Sequence, residues 1–240
     1  MHKVRNMNLP VLMYHKVSLN SFDALTVSIA QLERQWLYLV SKGYQCVTAK
    51  QILNYHHYQT PLPPKPVLVT FDDAHISFYK HVLPLLKKHR MKITLFIATG
   101  LLGTRDADCG EIMSLEQIKN LDFNIVEPAL HSHRHQNYKT LPLEAVKYDL
   151  SENILFLKNN DIPFAPVFAY PYGGFPQERK KMQNLKELFS EYNIDAAFRI
   201  GNRINHLSGK TDFFQLNRID IRGTDSFFKF KMKLKFGKIF

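Results

Sequence analysis

The sequence predicts an α/β protein: a distorted or incomplete (β/α) barrel, in a single domain over residues 1–240. Three observations predict it. Strand-sized apolar runs alternate with amphipathic stretches of helical length, the order of parallel β/α units. About seven such units share a chain of 240 residues, which favours a barrel over an open sheet. The residues with chemical potential fall at the C-terminal ends of the runs, where barrels carry their sites.

The elements follow in order. Leu9 to Tyr14 reads as a strand. Val27 to Ser41 has helical periodicity, with Ile29, Leu32, Trp36, Leu37 and Val40 expected inward and Gly43 just past its end. The cluster Pro61-Leu62-Pro63-Pro64-Lys65-Pro66 reads as a rigid connector into a buried strand, Pro66 to Phe71, that ends in acids. Ile76 to His89 is a helix that Pro84 is placed to kink, with Tyr79, Val82, Leu83 and Leu86 inward. Ile93 to Ala98 is a strand, Leu115 to Leu121 a short helix and Asn124 to Ala129 a strand. Then come a helix over Leu143 to Asn159, a strand over Pro166 to Tyr170, a helix over Lys180 to Tyr192, and strands over Ala196 to Ile200 and Phe214 to Ile221.

The composition is that of a globular core, 45% apolar and 22% charged. No run approaches the roughly 20 apolar residues of a membrane span. Lys3 and Arg5 imitate the start of a signal peptide, but Pro10 and His15 break the apolar stretch that follows. Cys46 and Cys109 lack CxxC partners and read as free thiols in a reducing compartment. These features set the expected location as cytoplasmic. The net charge of +11 favours anionic partners. No nucleic-acid recognition motif accompanies it, and no nucleic-acid partner is expected.

Two adjacent carboxylates end the run Val67-Leu68-Val69-Thr70-Phe71-Asp72-Asp73. A helix N-cap would use one Asp; a pair at a strand end can turn into one cleft. In His131-Ser132-His133-Arg134-His135, the first and last histidines share a face of a helical turn, a spacing that suits a common metal. His133 would then point away, either to solvent or in support. Together the two motifs supply two imidazoles, one carboxylate and a spare carboxylate, the set of a catalytic metal site with an open position. Phe168-Ala169-Tyr170-Pro171-Tyr172-Gly173-Gly174 reads as a strand and turn, or as a groove wall. As a wall, the Tyr172 N–H would face an oxyanion and Tyr170, Pro171 and Tyr172 would pack on substrate. His15, after Leu12-Met13-Tyr14, gains interest if the barrel brings it across from Asp72.

Thr70-Phe71-Asp72-Asp73, His131-Ser132-His133-Arg134-His135 and Tyr170-Pro171-Tyr172-Gly173 resemble the first three motifs of the polysaccharide deacetylase family, the NodB-like carbohydrate esterases. The resemblance runs from about Leu9 to Ile221. Pro10-Val11-Leu12-Met13-Tyr14-His15 resembles the circularly permuted branch that includes the poly-N-acetylglucosamine deacetylases. The resemblance implies a divalent metal, usually zinc, and removal of acetyl from an N-acetylated sugar. It makes Asp73, His131 and His135 the metal ligands, Asp72 the catalytic base and His15 the acid that protonates the leaving amine. Ala74 stands where the family usually has Gly, and Ala169 where the wider family carries an Arg that orients the base. Arg218 is the candidate substitute, with a solvated strand residue as the alternative. Glu127 also resembles the family pattern and is expected to support the ligand loop.

The tail, about residues 226–240, alternates Phe and Lys. It reads as an edge strand, as a packed helix, or as a patch for peripheral association with an anionic membrane at its inner face. A lipid-linked or lipopolysaccharide-type glycan would fit the last. The rivals are a non-catalytic carbohydrate-binding relative and a metal hydrolase acting on another amide.

Overall fold

The computed structural model describes residues 7–20, 23–106 and 110–237. Lys3, Arg5, Cys109 and Lys238 lie outside the described residues. Seven parallel strands form the barrel: β1 (Val11–Tyr14), β2 (Pro66–Phe71), β3 (Ile93–Ile97), β4 (Val126–Leu130), β5 (Ala165–Ala169), β6 (Ala196–Ile200) and β7 (Leu216–Asp220). Each pairs with the next, and β7 closes on β1 through Ile219↔Leu12 and Asp220↔Met13. The helices are α1 (Ile29–Ser41), α2 (Ala49–Tyr58), α3 (Leu83–His89), α4 (Leu115–Lys119), α5 (Leu143–Asn159), α6 (Arg179–Glu191) and α7 (Phe227–Phe236). The predicted barrel is the observed fold.

Its distortion has a local cause. The short strand Gln45–Val47, absent from the sequence reading, pairs with the first half of β2, Gln45↔Pro66 to Val47↔Leu68. β3 therefore meets β2 at Thr70↔Thr94 and Phe71↔Leu95, near the C-terminal end. The wedge brings the start of α2 beneath the barrel. A second irregularity lies between Ala129 and Leu130, where the register of β4 on β5 shifts just before His131. Bulges of this kind re-aim the following side chain.

Two apolar layers follow from strand alternation. Leu68, Phe96, Ala129, Val167, Ala169 and Phe198 belong to one buried cluster, and Val67, Val69, Phe71, Ile93, Leu95 and Phe168 to another with Trp36, Leu86 and Leu150 from the helices. α1 differs from the predicted face. Leu32, Gln35, Trp36 and Leu39 are buried, while Leu37 and Val40 are exposed: the inward stripe runs i, i+3, i+4, i+7 through Gln35, whose side chain accepts a 2.8 Å hydrogen bond from the Tyr14 hydroxyl. Helix α1 starts later than predicted because Ser28 and Gln31 form a capping box there. The predicted helix is observed, residues 76–89 being helical throughout; it is irregular where the proline was placed to disturb it, with a π-helix over Phe78–Val82 running directly into α3 and Pro84 the second residue of α3.

Candidate metal centre and its surroundings

The site is built at the C-terminal rim. β2 ends at Phe71, and the chain turns through Asp73 (φ 68°) and Ala74 (φ 57°). Left-handed backbone at a non-glycine costs roughly 1–2 kcal/mol; here it swings the Asp73 carboxylate into the cleft beside Asp72. Ala74 occupies the conformation that the expected Gly would take without strain. Ser132 (φ 73°), His135 (φ 53°) and Tyr172 (φ 57°) repeat the pattern in the other two rim loops. Such backbone clusters where surrounding structure fixes a functional geometry.

Asp73, His131 and His135 come together. Asp73 Oδ1 lies 3.4 Å from His131 Nε2 and 3.2 Å from His135 Nε2, and one ligand atom from each falls within 4.8 Å of the others. Asp73 and His131 are buried. His131 Nδ1 meets the Ala169 carbonyl at 2.8 Å. That contact fixes the ring as the Nδ1–H tautomer and turns Nε2 toward the carboxylate, the arrangement that metal-binding histidines use. A buried Asp73 oxygen without a hydrogen-bond partner among the described residues, facing two imidazole nitrogens, fits a divalent cation. The donor set of two nitrogens and one oxygen suits zinc and several neighbouring metals.

Asp72 stands just outside this triad. Its Oδ2 is 3.8 Å from His131 Nε2 and 3.8 Å from His15 Nε2, while Arg218 donates from a guanidinium nitrogen to Oδ1 at 2.5 Å. Burial pushes the Asp72 carboxyl up, but Arg218, with His131 and His15 beside it, holds it below the usual carboxylate range. Burial likewise opposes ionisation of Asp73, and the imidazoles of His131 and His135 beside its carboxylate bring it well below that range. Arg218 is 1% exposed, which settles its setting: an inward residue of β7, its guanidinium 5.3 Å from the Phe96 ring centroid. It reaches the carboxylate that an Arg at position 169 would otherwise serve.

His15 is beside Asp72 rather than across the cleft from it. Tyr14 pairs with Phe71 in the β1–β2 ladder, and the next residue on each strand emerges at the same level. Tyr172 is 55% exposed, its ring centroid 4.8 Å from that of His135. Pro171 is buried in the turn that carries Tyr172. Tyr170 does not line the groove. Its ring packs with Phe168, Phe175 and Phe189 and its hydroxyl donates to the Phe214 carbonyl at 3.0 Å, because position 170 faces the helical layer.

Glu127 also departs from expectation. It lies near the start of β4, at the opposite end from His131. Its carboxylate accepts from the N–H groups of Ala49 (2.7 Å) and Lys50 (3.1 Å) and from Thr94 Oγ1 (2.8 Å). It therefore caps α2 where the wedge inserts that helix, and the ligand loop is supported by other residues. Replacing Glu127 by Ala is expected to cost about 1–2 kcal/mol in urea unfolding with metal stoichiometry unchanged. A loss of metal in the folded variant would return Glu127 to the site.

The ligand loop hangs on α5. Asp149 accepts from the N–H groups of His133 (3.0 Å) and Arg134 (2.8 Å) and from the Tyr138 hydroxyl (2.8 Å). Asn153 accepts from the His131 N–H at 3.2 Å and donates to Thr99 Oγ1 at 2.8 Å. His133 is a supporting residue, its Nδ1 2.9 Å from Thr99 Oγ1 and its carbonyl receiving the Gly100 N–H at 2.8 Å. A Cβ at Gly100 would lie 2.7 Å from that carbonyl oxygen, so the approach requires glycine. The sequence did carry a signal for Asp149 and Asn153. They stand at i and i+4 on the inward stripe of a helix with Val146 and Leu150, where short polar side chains need buried partners.

Comparison with known proteins places this geometry. The model of the family described as polysaccharide deacetylase matches residues 59–198, which include Asp72, Asp73, His131, His135 and Tyr172. Poly-beta-1,6-N-acetyl-D-glucosamine N-deacetylase of Staphylococcus aureus is 28% identical over 182 residues, covering 72% of this chain and 62% of that protein. The chain spans about three fifths of the length of the first curated relatives it matches. The Streptococcus pyogenes deacetylase PplD, solved in complex with acetate, has a TM-score of 0.81 at 21% identity over 95% of this chain and 99% of that one. IcaB from Ammonifex degensii has a TM-score of 0.79 at 24% identity, over 95% and 96%. These two likenesses establish a shared fold. His15 and Arg218 lie outside the matched segment.

Proposed function

The chain belongs to the polysaccharide deacetylase family, and from that premise we propose that it hydrolyses the N-acetyl group of an N-acetylhexosamine in a glycan, with a divalent metal, zinc by preference. The observation that carries the proposal is the spare carboxylate. Asp72 stands within 3.8 Å of the triad residue His131 and is held ionised by a buried arginine.

Asp73, His131 and His135 would hold the cation. When bound it supplies Lewis acidity, lowering the pKa of water and polarising the acyl carbonyl. Asp72 accepts the proton of the attacking water. Arg218 keeps that carboxylate ionised and aimed by a charge-assisted hydrogen bond. His15 donates a proton to the departing amine, which leaves poorly without one. The Tyr172 backbone N–H donates to the developing oxyanion, and its exposed ring packs on the sugar. Acid and base thus stand on adjacent strands, with the His15–Asp72 separation of 3.8 Å allowing both to reach one scissile bond.

The substrate form we favour is a lipid-linked or lipopolysaccharide-type intermediate, supported by the basic and aromatic surface of α7. The decisive experiment is acetate release from free, lipid-linked and polymeric N-acetylhexosamine substrates, with and without chelator. Acetate from at least one form, lost on chelation and restored by metal, is expected. No acetate from any form, with the metal bound, would point to a different amide or to a binding role.

A further inference from the structure

Helix α7 holds a surface that the deacetylase site does not use. Ser226 caps its start, accepting from the Lys229 N–H, and Gly237 (φ 80°) ends it. Phe230 and Leu234 are buried, and Phe227 and Phe230 pack edge-on against Tyr38 of α1. Lys233 is buried too, its ammonium paired with Asp225 and donating to the Asp220 carbonyl at 2.6 Å. Lys229 also pairs with Asp225, at 3.0 Å. The inner face is thus fixed by packing and by one buried acid.

The outer face has a different composition. Successive helical residues turn by about 100°, so Phe228, Met232 and Phe236 form one stripe along the solvent side. Phe228 is 67% and Phe236 57% exposed, unusual for large aromatic side chains. Lys231 and Lys235 flank the stripe. Their ammonium groups sit 5.4 to 5.8 Å from the rings of Phe227 and Phe228, and 5.0 Å from that of Phe236. Among the described residues neither lysine forms an ion pair, and α7 itself contains no acidic residue. Arg34 of α1 adds a further cation, 4.0 Å above the Phe227 ring. An aromatic stripe edged by uncompensated cations has the chemistry of an interfacial helix. The rings enter the boundary between headgroup and acyl chain, and the lysines extend along them to the phosphates.

We infer that the outer face of α7 docks the protein laterally on an anionic membrane surface, through Phe228, Met232 and Phe236 with Lys231, Lys235 and Arg34. The inference shares its support with the lipid-linked substrate reading but fails separately from it, because docking is read without catalysis.

Flotation of the full chain with phosphatidylcholine vesicles, with and without about one third phosphatidylglycerol, tests it. Binding to the anionic vesicles alone is expected, weakening as salt rises. The pair Lys231→Glu and Lys235→Glu is expected to lower partitioning at least tenfold, on the order of the per-lysine contribution at such surfaces. Phe228→Ser with Phe236→Ser is expected to lower it by a similar factor. All four positions lie on the outer face, and circular dichroism melts matching the wild type confirm that each pair folds. Absence of wild-type binding at low salt would overturn the inference. So would loss on the lysine substitutions alone, which would leave charge attraction at the vesicle surface without the seating of the aromatic stripe that the inference requires.

Discussion

Replacing Asp72 by Asn is expected to lower acetate release by about 10²–10⁴-fold, the range of a lost general base, and to leave the bound-metal stoichiometry at the wild-type value. The two parts are separable because Asp72 and Asp73 have different neighbours. Asp73 faces His131 and His135 at 3.4 and 3.2 Å, whereas Asp72 is directed to Arg218 and lies 3.8 Å from both His131 and His15. Asn at position 72 keeps the size and an acceptor for Arg218 but cannot take a proton. Elemental analysis beside the steady-state rate checks both. Metal lost in proportion to rate would make Asp72 a ligand, and an unchanged rate would remove it from the chemistry.

Replacing Arg218 by Leu has the largest expected effect on stability, about 3–5 kcal/mol, because it leaves a buried carboxylate without its partner. The pH dependence gives the sign. In the wild type the folded Asp72 pKa is lowered, so its pairing stabilises above the unfolded carboxylate pKa, and that contribution is lost as pH falls through the folded value. Without Arg218 the first of the lowering influences is gone, only His131 and His15 oppose burial, and the folded pKa is expected to rise, above the unfolded one if burial prevails. Asp72 then destabilises at neutral pH, and the penalty shrinks as acidification protonates it in the fold. Urea unfolding of both proteins in chelator should show a gap that is widest near pH 7 and narrows toward the acid side. The acid limb of the rate profile should also move to higher pH in the variant. A gap independent of pH would reduce Arg218 to a packing role, its guanidinium against Phe96.

Glu127 and Arg218 differ in how far the sequence reveals their place. Both are charged residues on or beside predicted strands, Glu127 expected to support the ligand loop and Arg218 a candidate to orient Asp72. Glu127 sits at the start of β4 and Arg218 in the middle of β7. On a parallel strand that position decides which end of the barrel a side chain reaches, at roughly 3.3 Å per residue. Four residues from His131 is then enough to carry Glu127 to the opposite end. Arg218 is 146 positions from Asp72 in the chain, and closure of β7 onto β1 brings the two together. Tyr170 and Tyr172 make the same point over two residues. The left-handed turn at Tyr172 ends strand alternation, so one ring enters the core and the other stands in the open.

The tail separates local pattern from tertiary outcome most directly. Phe and Lys alternate in the period of a strand, yet Phe230 and Leu234, four apart, find an apolar seat against α1, and Lys233 finds Asp225. Those long-range partners select the helical period over the alternating one.

The opening expectation of a β/α barrel with Asp72, Asp73, His131 and His135 gathered at its rim was determined by the sequence itself. Each of those residues ends or follows a strand, and parallel β/α units deliver every strand end to the same rim. Tertiary structure alone decided which residues serve that cluster: Arg218 on Asp72, Ala169 on His131, Asp149 and Asn153 beneath the ligand loop, and Glu127 away from it altogether. The physical reason is that ligand spacing is a local property of the chain, whereas pairing a buried charge depends on which distant strand lies across the barrel.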